Sequence, residues 1–139
     1  MITRYLLDTN ICIMIMRERP LVVRPAIDAL SIGTAAMSVV TLGELRAGAE
    51  RSVHPTGAHA LIDALLATIP ALDTTTEVAW HYGRIRAHLA SGGQIIGNND
   101  LWIGAHALAL GVTIATSNVR EFTRIPGLRV EDWAAPDGG

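Results

Sequence analysis

Asp8, Glu44, Asp100 and Asn118 are the residues of this chain best placed to do chemistry together. Three are carboxylates and the fourth is an amide, so all four offer oxygen. Clustered carboxylates repel one another unless a cation lies among them. An oxygen-only donor set suits Mg2+ or Mn2+ and is wrong for Zn2+. The five histidines and single cysteine show no zinc-ligand spacing. There is no Gly-x-Ser-x-Gly nucleophile motif and no phosphate loop, and Gly92-Gly93 reads only as a helix stop.

Each residue also has a plainer role. Asp8 and Asn10 can cap a helix. Thr41-Leu42-Gly43-Glu44 has the spacing of a capping box, which would occupy Glu44 at a helix start. Asn118 can fill a left-handed turn position. Asp100 is harder to explain this way. It opens a segment, 100–110, that is apolar nearly all round and is therefore expected to be buried. A carboxylate at the mouth of a buried helix needs a partner or an ion. Asn98 and Asn99 stand ready to cap that helix in its place. His106 lies six residues beyond Asp100, about 600° around a helix of 3.6 residues per turn. It points away from Asp100 and reads as a packed histidine.

The elements that position these residues follow from apolar runs and breakers. Tyr5-Leu6-Leu7 predicts a buried strand ending at Asp8, followed by a helix over 11–17. A helix over 21–30 stops before Gly33. Strands are expected at 34–37, 69–72, 113–116 and 128–130. Helices are expected from a Ser38 or Thr41 cap to about 52, then over 58–67, 74–91, from an Asn98 or Asn99 cap to 111, and briefly within 117–124. Strands alternating with helices predict an α/β fold: a largely parallel central sheet flanked by helices on both faces. In such sheets ligands bind beyond the carboxyl ends of the strands. Asp8 and Asn118 follow strands, and Glu44 and Asp100 sit in first helical turns facing the same edge.

The 139 residues fit one domain, taken as 1–133 with a loose tail over 134–139. Half the residues are apolar and 17% are charged, which excludes a disordered chain. Net charge is −2, with 11 basic residues, all arginine, against 13 acidic. That balance argues against a non-specific nucleic-acid coat. It is compatible with an enzyme touching a few phosphates through arginine, for which Arg84 and Arg86 are candidates on a helix face that otherwise reads as solvated. Cys12 has no cysteine partner for an internal disulfide. No apolar run is long enough to span a bilayer, and Asp8 and Asn10 interrupt any signal-like region. A cytoplasmic protein is expected.

Four motifs in order carry a resemblance. Leu7-Asp8-Thr9-Asn10, Val40-Thr41-Leu42-Gly43-Glu44-Leu45-Arg46-Ala47-Gly48, Ile96-Gly97-Asn98-Asn99-Asp100-Leu101-Trp102-Ile103-Gly104-Ala105-His106-Ala107 and Ala115-Thr116-Ser117-Asn118-Val119-Arg120-Glu121-Phe122 together resemble PIN-domain nucleases of the VapC toxin type. The match runs from Leu6 to about Trp133. The resemblance implies a PIN-like fold, a magnesium-dependent endoribonuclease and a VapB-like antitoxin partner. It also implies a homodimer, for which apolar residues of the helices around 62–66 and 78–82 are candidates. Carried over, the acidic ligands are Asp8, Glu44 and Asp100, and the fourth position holds Asn118 in place of an acid. On this reading Asp8 and Asp100 hold Mg2+, Glu44 orients the attacking water, and Asn10 and Ser117 orient the ligands. The competing expectations are a FitB-like partner-binding module of a DNA-binding complex with little activity, and a non-toxin PIN nuclease in RNA maturation.

Overall fold

The computed structural model describes residues 2–17, 28 and 30–134. The apolar run at the start forms β1 (Tyr5–Leu7), and Asp8 ends it. The Asp8 side chain accepts the Ile11 N–H at 2.9 Å, satisfying a first-turn donor of α1 (Thr9–Arg17). Next comes β2 (Ala35–Ser38), and Ser38 caps α2 (Val39–Glu50) by accepting the Val40 N–H at 3.1 Å. The chain continues through α3 (Pro55–Leu66), β3 (Ala71–Leu72), α4 (Thr76–Ser91) and α5 (Asn98–Leu110). It closes with β4 (Thr113–Thr116), α6 (Val119–Phe122) and β5 (Val130–Asp132). Gly111, at φ 72°, turns the chain out of α5 in the left-handed conformation that glycine tolerates best.

The five strands pair in the order β3-β2-β1-β4-β5, and every pairing is parallel. Leu6 lies opposite Ala36 on one side and Ile114 on the other. The chain winds outward from β1 through β2 to β3, then returns to lay β4 against the free side of β1. The order therefore reverses between β1 and β4, and a crevice is expected beyond their carboxyl ends. Asp8 stands there, its N–H bonded to the Ala115 carbonyl of β4 at 3.0 Å.

The strand period of two divides the apolar residues between two cores. Leu6, Ala36 and Ile114 pack with Val78, Ile85, Leu101 and Ile103 under α4 and α5, joined by Phe122 of α6. Leu7, Ala35, Met37 and Ala115 pack with Ile11, Ile15, Leu45 and Ile62 under α1, α2 and α3. Alanines on the central strands let the helices sit close to the sheet. Gly104 lets α5 approach the segment that follows α6, since a Cβ there would fall 2.4 Å from Ile125 Cδ1. Truncating a core side chain such as Ile103 or Phe122 to alanine should cost about 2–5 kcal/mol.

Several expected boundaries are corrected. Ser38, not Thr41, caps α2, and Thr41 lies buried inside the helix. No capping box forms, so Glu44 is not spent on one. The helix expected over 58–67 begins earlier, at Pro55, which supplies a fixed φ at the first helical position of α3. Asn98 and Asn99 lie within α5, whose N-cap is Gly97. The strand expected at 34–37 is shifted by one residue and that at 128–130 by two, and the one at 69–72 keeps only Ala71–Leu72. Ile69 is buried in a core instead. The apolar residues expected to overflow at 62–66 and 78–82 are mostly consumed at home: Ile62, Leu65 and Val78 are buried. Trp80 is exposed within them, and Leu61 just before the first. All but residues 28 and 30 of the helix expected over 21–30, and all but Ala134 of the tail, lie outside the described residues.

Candidate active site

Asp8 ends β1 at the switch point and is 2% exposed. Its Oδ1 accepts the Ile11 N–H, and its Oδ2 accepts the Thr116 hydroxyl. Burial pushes its carboxyl above the ordinary value and the Glu44 charge adds to that, whereas the Thr116 and Ile11 donors pull the other way. Thr116 in turn accepts the Asn118 N–H at 2.8 Å, which ties the loop after β4 to Asp8.

Glu44 projects from the second turn of α2, and the Thr9 hydroxyl donates to its Oε1 at 2.5 Å. Thr9 also lies 3.3 Å from the Thr41 hydroxyl, so the buried threonine of α2 and the first residue of α1 hold each other at the site's floor.

Asp100 lies in the first turn of α5, half-buried. Its carboxyl is pushed up to about 6, first by burial and then by the charges of Glu121, Asp8 and Glu44. Those three neighbours locate it within the acidic group. Glu121 was not foreseen from the sequence. Its Oε1 accepts the Gly97 N–H and its Oε2 accepts the Asn118 amide, both at 2.6 Å. It thus clips the start of α5 to α6, with its charge at a helix N-terminus where the dipole favours an acid. A Cβ built on Gly97 would meet Glu121 Oε1 at 3.7 Å and Asp100 Oδ2 at 3.8 Å, so both carboxylates converge over that glycine.

The expected positions of Asp8, Glu44 and Asp100 therefore share one edge. Asn118 is at this edge too, but its amide nitrogen faces Glu121, and its φ of −108° excludes the left-handed turn. Among the described residues neither the Asn10 nor the Ser117 side chain bonds these carboxylates, whereas Thr9 bonds Glu44 and Thr116 bonds Asp8. A hydroxyl following Asp8 and a threonine closing β4 were the available signals, and both read first as ordinary cap and strand residues. His106 is 1% exposed, its Nδ1 2.8 Å from the Ser38 hydroxyl, with no part in the cluster. Burial lowers its pKa.

Among the described residues, no three His, Cys, Asp or Glu side chains are spaced to close by themselves on one ion. That leaves the arrangement Mg2+ commonly uses, one or two carboxylates with water and substrate phosphate completing the shell. The donors are all oxygen, and no cationic side chain bonds to Asp8, Glu44, Asp100 or Glu121 among the described residues. An open cleft of about 660 Å3 runs from Thr9, Glu44 and Asn99 toward Ile13, Met16 and Leu61 between α1, α2 and α3.

A PIN-domain family model matches residues 5–128. A "tRNA(fMet)-specific endonuclease VapC" of Shigella flexneri is 43% identical over 131 residues, covering 94% of this chain and 98% of that protein. The chain belongs to the VapC-type PIN-domain nuclease family. Its fold is that of the VapC-type PIN domain in a DNA-bound VapBC from Salmonella typhimurium, with a TM-score of 0.89 and 39% identity over 95% of this chain and 99% of that one. FitAcB from Neisseria gonorrhoeae is similar as well, at TM-score 0.79 and 26% identity over 93% of this chain and 97% of that one. Within the PIN frame the carboxylate edge at the β1/β4 switch lies inside the matched region, from Asp8 to Glu121.

Proposed function

We propose that the chain is a Mg2+-dependent endoribonuclease, with Mn2+ as an alternative ion, acting as the toxin of a toxin–antitoxin pair. The observation that carries this is Asp100: a half-buried carboxylate raised to about 6 among Glu121, Asp8 and Glu44, with no cationic side chain bonded to it among the described residues. Asp8 and Asp100 would hold the ion, and Glu44, Glu121 and the Asn118 amide oxygen are the further oxygen donors of this edge. When bound, the ion polarises the scissile phosphate and offsets the charge that builds on it. The chain's own residues do the rest. Thr116 and the Ile11 N–H fix the Asp8 carboxylate, Thr9 fixes Glu44 where it orients the attacking water, and Glu121 sets the start of α5.

The relatives' names supply the substrate to try first, tRNA(fMet). A VapB-like antitoxin is the proposed partner, supported by the complexes in which the similar folds were solved. The cleft beside α1 gives its tail an apolar path to the carboxylates, where a basic side chain would compete with the ion. A homodimer in the cytoplasm completes the proposal; no helix among the described residues is long and apolar enough to cross a membrane. Incubating purified protein with tRNA(fMet), with Mg2+ and then with EDTA, tests it. Cleavage that stops with EDTA is expected. Partner binding without cleavage in Mg2+ or Mn2+ would favour the FitB-like module instead.

A further inference from the structure

Helix α4 carries two arginine–aromatic pairs four residues apart, and they face opposite ways. Arg84 lies over Trp80, 4.7 Å from the ring centroid, in a groove with His81, His88 and Leu108. Arg86 instead reaches toward α5. Its Nη1 donates to the Tyr82 hydroxyl at 2.6 Å, and that hydroxyl donates to Asn98 Oδ1 at 2.5 Å. Tyr82 is fixed by stacking on Trp102, with centroids 3.9 Å apart and rings 16° from parallel. Asn98 opens α5 two residues before Asp100.

Three features set Arg86 apart from a residue that merely joins two helices. The Tyr82–Asn98 bond and the Tyr82–Trp102 stack already make that joint without it. The arginine is exposed, and among the described residues no carboxylate lies in ion-pair range of it. Its partner is a neutral hydroxyl whose own acceptor is a neutral amide, so the cation is aimed without being neutralised. Most of its five N–H donors remain for a ligand, in a fork that matches phosphate. The neighbouring edge is strongly acidic and repels a polyanion. A fixed cation beside it offsets that repulsion for an approaching strand.

We propose that Arg86, aimed by Tyr82 and Asn98, binds a backbone phosphate of the RNA strand entering beside Asp100. This rests on the ribonuclease reading. Tyr82 is then a positioning residue, and Arg86 touches substrate.

The test uses the full chain and tRNA(fMet) as probe, with affinity measured against salt in EDTA and cleavage measured separately in Mg2+. Arg86→Gln keeps a donor for the Tyr82 hydroxyl and removes the charge. It should weaken binding about 3- to 10-fold and flatten the log–log salt slope by about 0.7–0.9, the loss of one phosphate contact. The loss in kcat/KM should fall on KM, the melting temperature should hold, and Arg86→Lys should recover part of the affinity. Tyr82→Phe should weaken binding less. Unchanged affinity and slope in Arg86→Gln would overturn the proposal, as would a fall in kcat and melting temperature at constant slope, the mark of a structural tie. Wild type that binds tRNA with an Arg86-dependent slope yet does not cut would remove the nuclease reading and keep the phosphate contact. Wild type that neither binds nor cuts would remove both.

Discussion

Asp8 and Asp100 stand at the same sheet edge and are held in opposite ways. Asp8 follows a strand and is wrapped by donors, the Thr116 hydroxyl on one oxygen and the Ile11 N–H on the other. Asp100 lies in the first turn of a helix and is surrounded by like charges from Glu121, Asp8 and Glu44. A strand end can take donors from the next strand and the following helix at once, because three backbones converge there. A helix start in an otherwise apolar helix has fewer such neighbours. One carboxylate is therefore satisfied by the fold, and the other is left to be satisfied by whatever binds.

The largest expected effect removes that contrast. Asp8→Asn and Asp100→Asn should each lower RNA cleavage more than about 100-fold, since on the proposed reading either loss would remove an ion ligand. Activity in either variant within a few-fold of wild type would break the shared-site reading. The contrast itself appears in stability. Asp8→Ala strands the Thr116 hydroxyl and the Ile11 N–H and should cost about 1–3 kcal/mol in urea unfolding. Asp100→Asn removes an ionised group from among like charges. At pH 7 without metal it should leave stability equal or raise it by up to about 1–2 kcal/mol after solvent screening.

A pH series sharpens the same point. The folded chain favours protonated Asp100, because its pKa is raised from the usual 3.8 to about 6. That contribution is complete below the unfolded value and is lost as pH rises through about 6. Metal-free protein should therefore lose stability across that window, and saturating Mg2+ should flatten the loss. Asp100→Asn should lack both the slope and its correction. A wild-type slope identical to that of the variant would show that Asp100 is not the strained group.

Smaller effects test the supporting hydroxyls and the amide. Thr116→Val removes one donor from Asp8, which should raise that carboxyl further and shift the acid limb of the cleavage profile upward. Stability should fall about 1 kcal/mol. Asn118→Asp would set a carboxylate against Glu121, where the amide now donates at 2.6 Å. Metal-free stability should drop by roughly 1 kcal/mol, and Mg2+ should restore more of it than in wild type, as calorimetric titration and melting would show.

The carboxylates that sequence could place are those that interrupt a pattern. Asp8 ends an apolar strand, and Asp100 begins an apolar helix, so each stands out against its neighbours. Glu44 was legible through its spacing from Asp8 and Asp100 in motif order, though its capping-box alternative failed once Ser38 took the cap. Glu121 was hidden because it sits beside Arg120 in a one-turn helix too short to show a pattern, where an acid is unremarkable. Its importance comes from a contact with Gly97, 24 residues away in sequence. Thr116 was hidden for a related reason: threonine is at home in any strand. The parallel sheet and its element order were readable from alternating periods. Cap assignments were not, because the choice between adjacent polar residues depends on the exit angle of the preceding strand.

Cys12 has a practical consequence for experiment. The thiol lies fully buried on the inner face of α1, and burial holds its pKa well above the usual range. A thiol reagent added to folded protein should therefore react only when α1 lifts from the sheet. It is the only cysteine in the chain, and its N–H bonds the Asp8 carbonyl at 3.2 Å. The rate of labelling is then a natural clock for the opening of the segment that carries Asp8. Comparing that rate with and without Mg2+ would report whether an ion quiets the backbone at its own site, with no probe engineered into the chain.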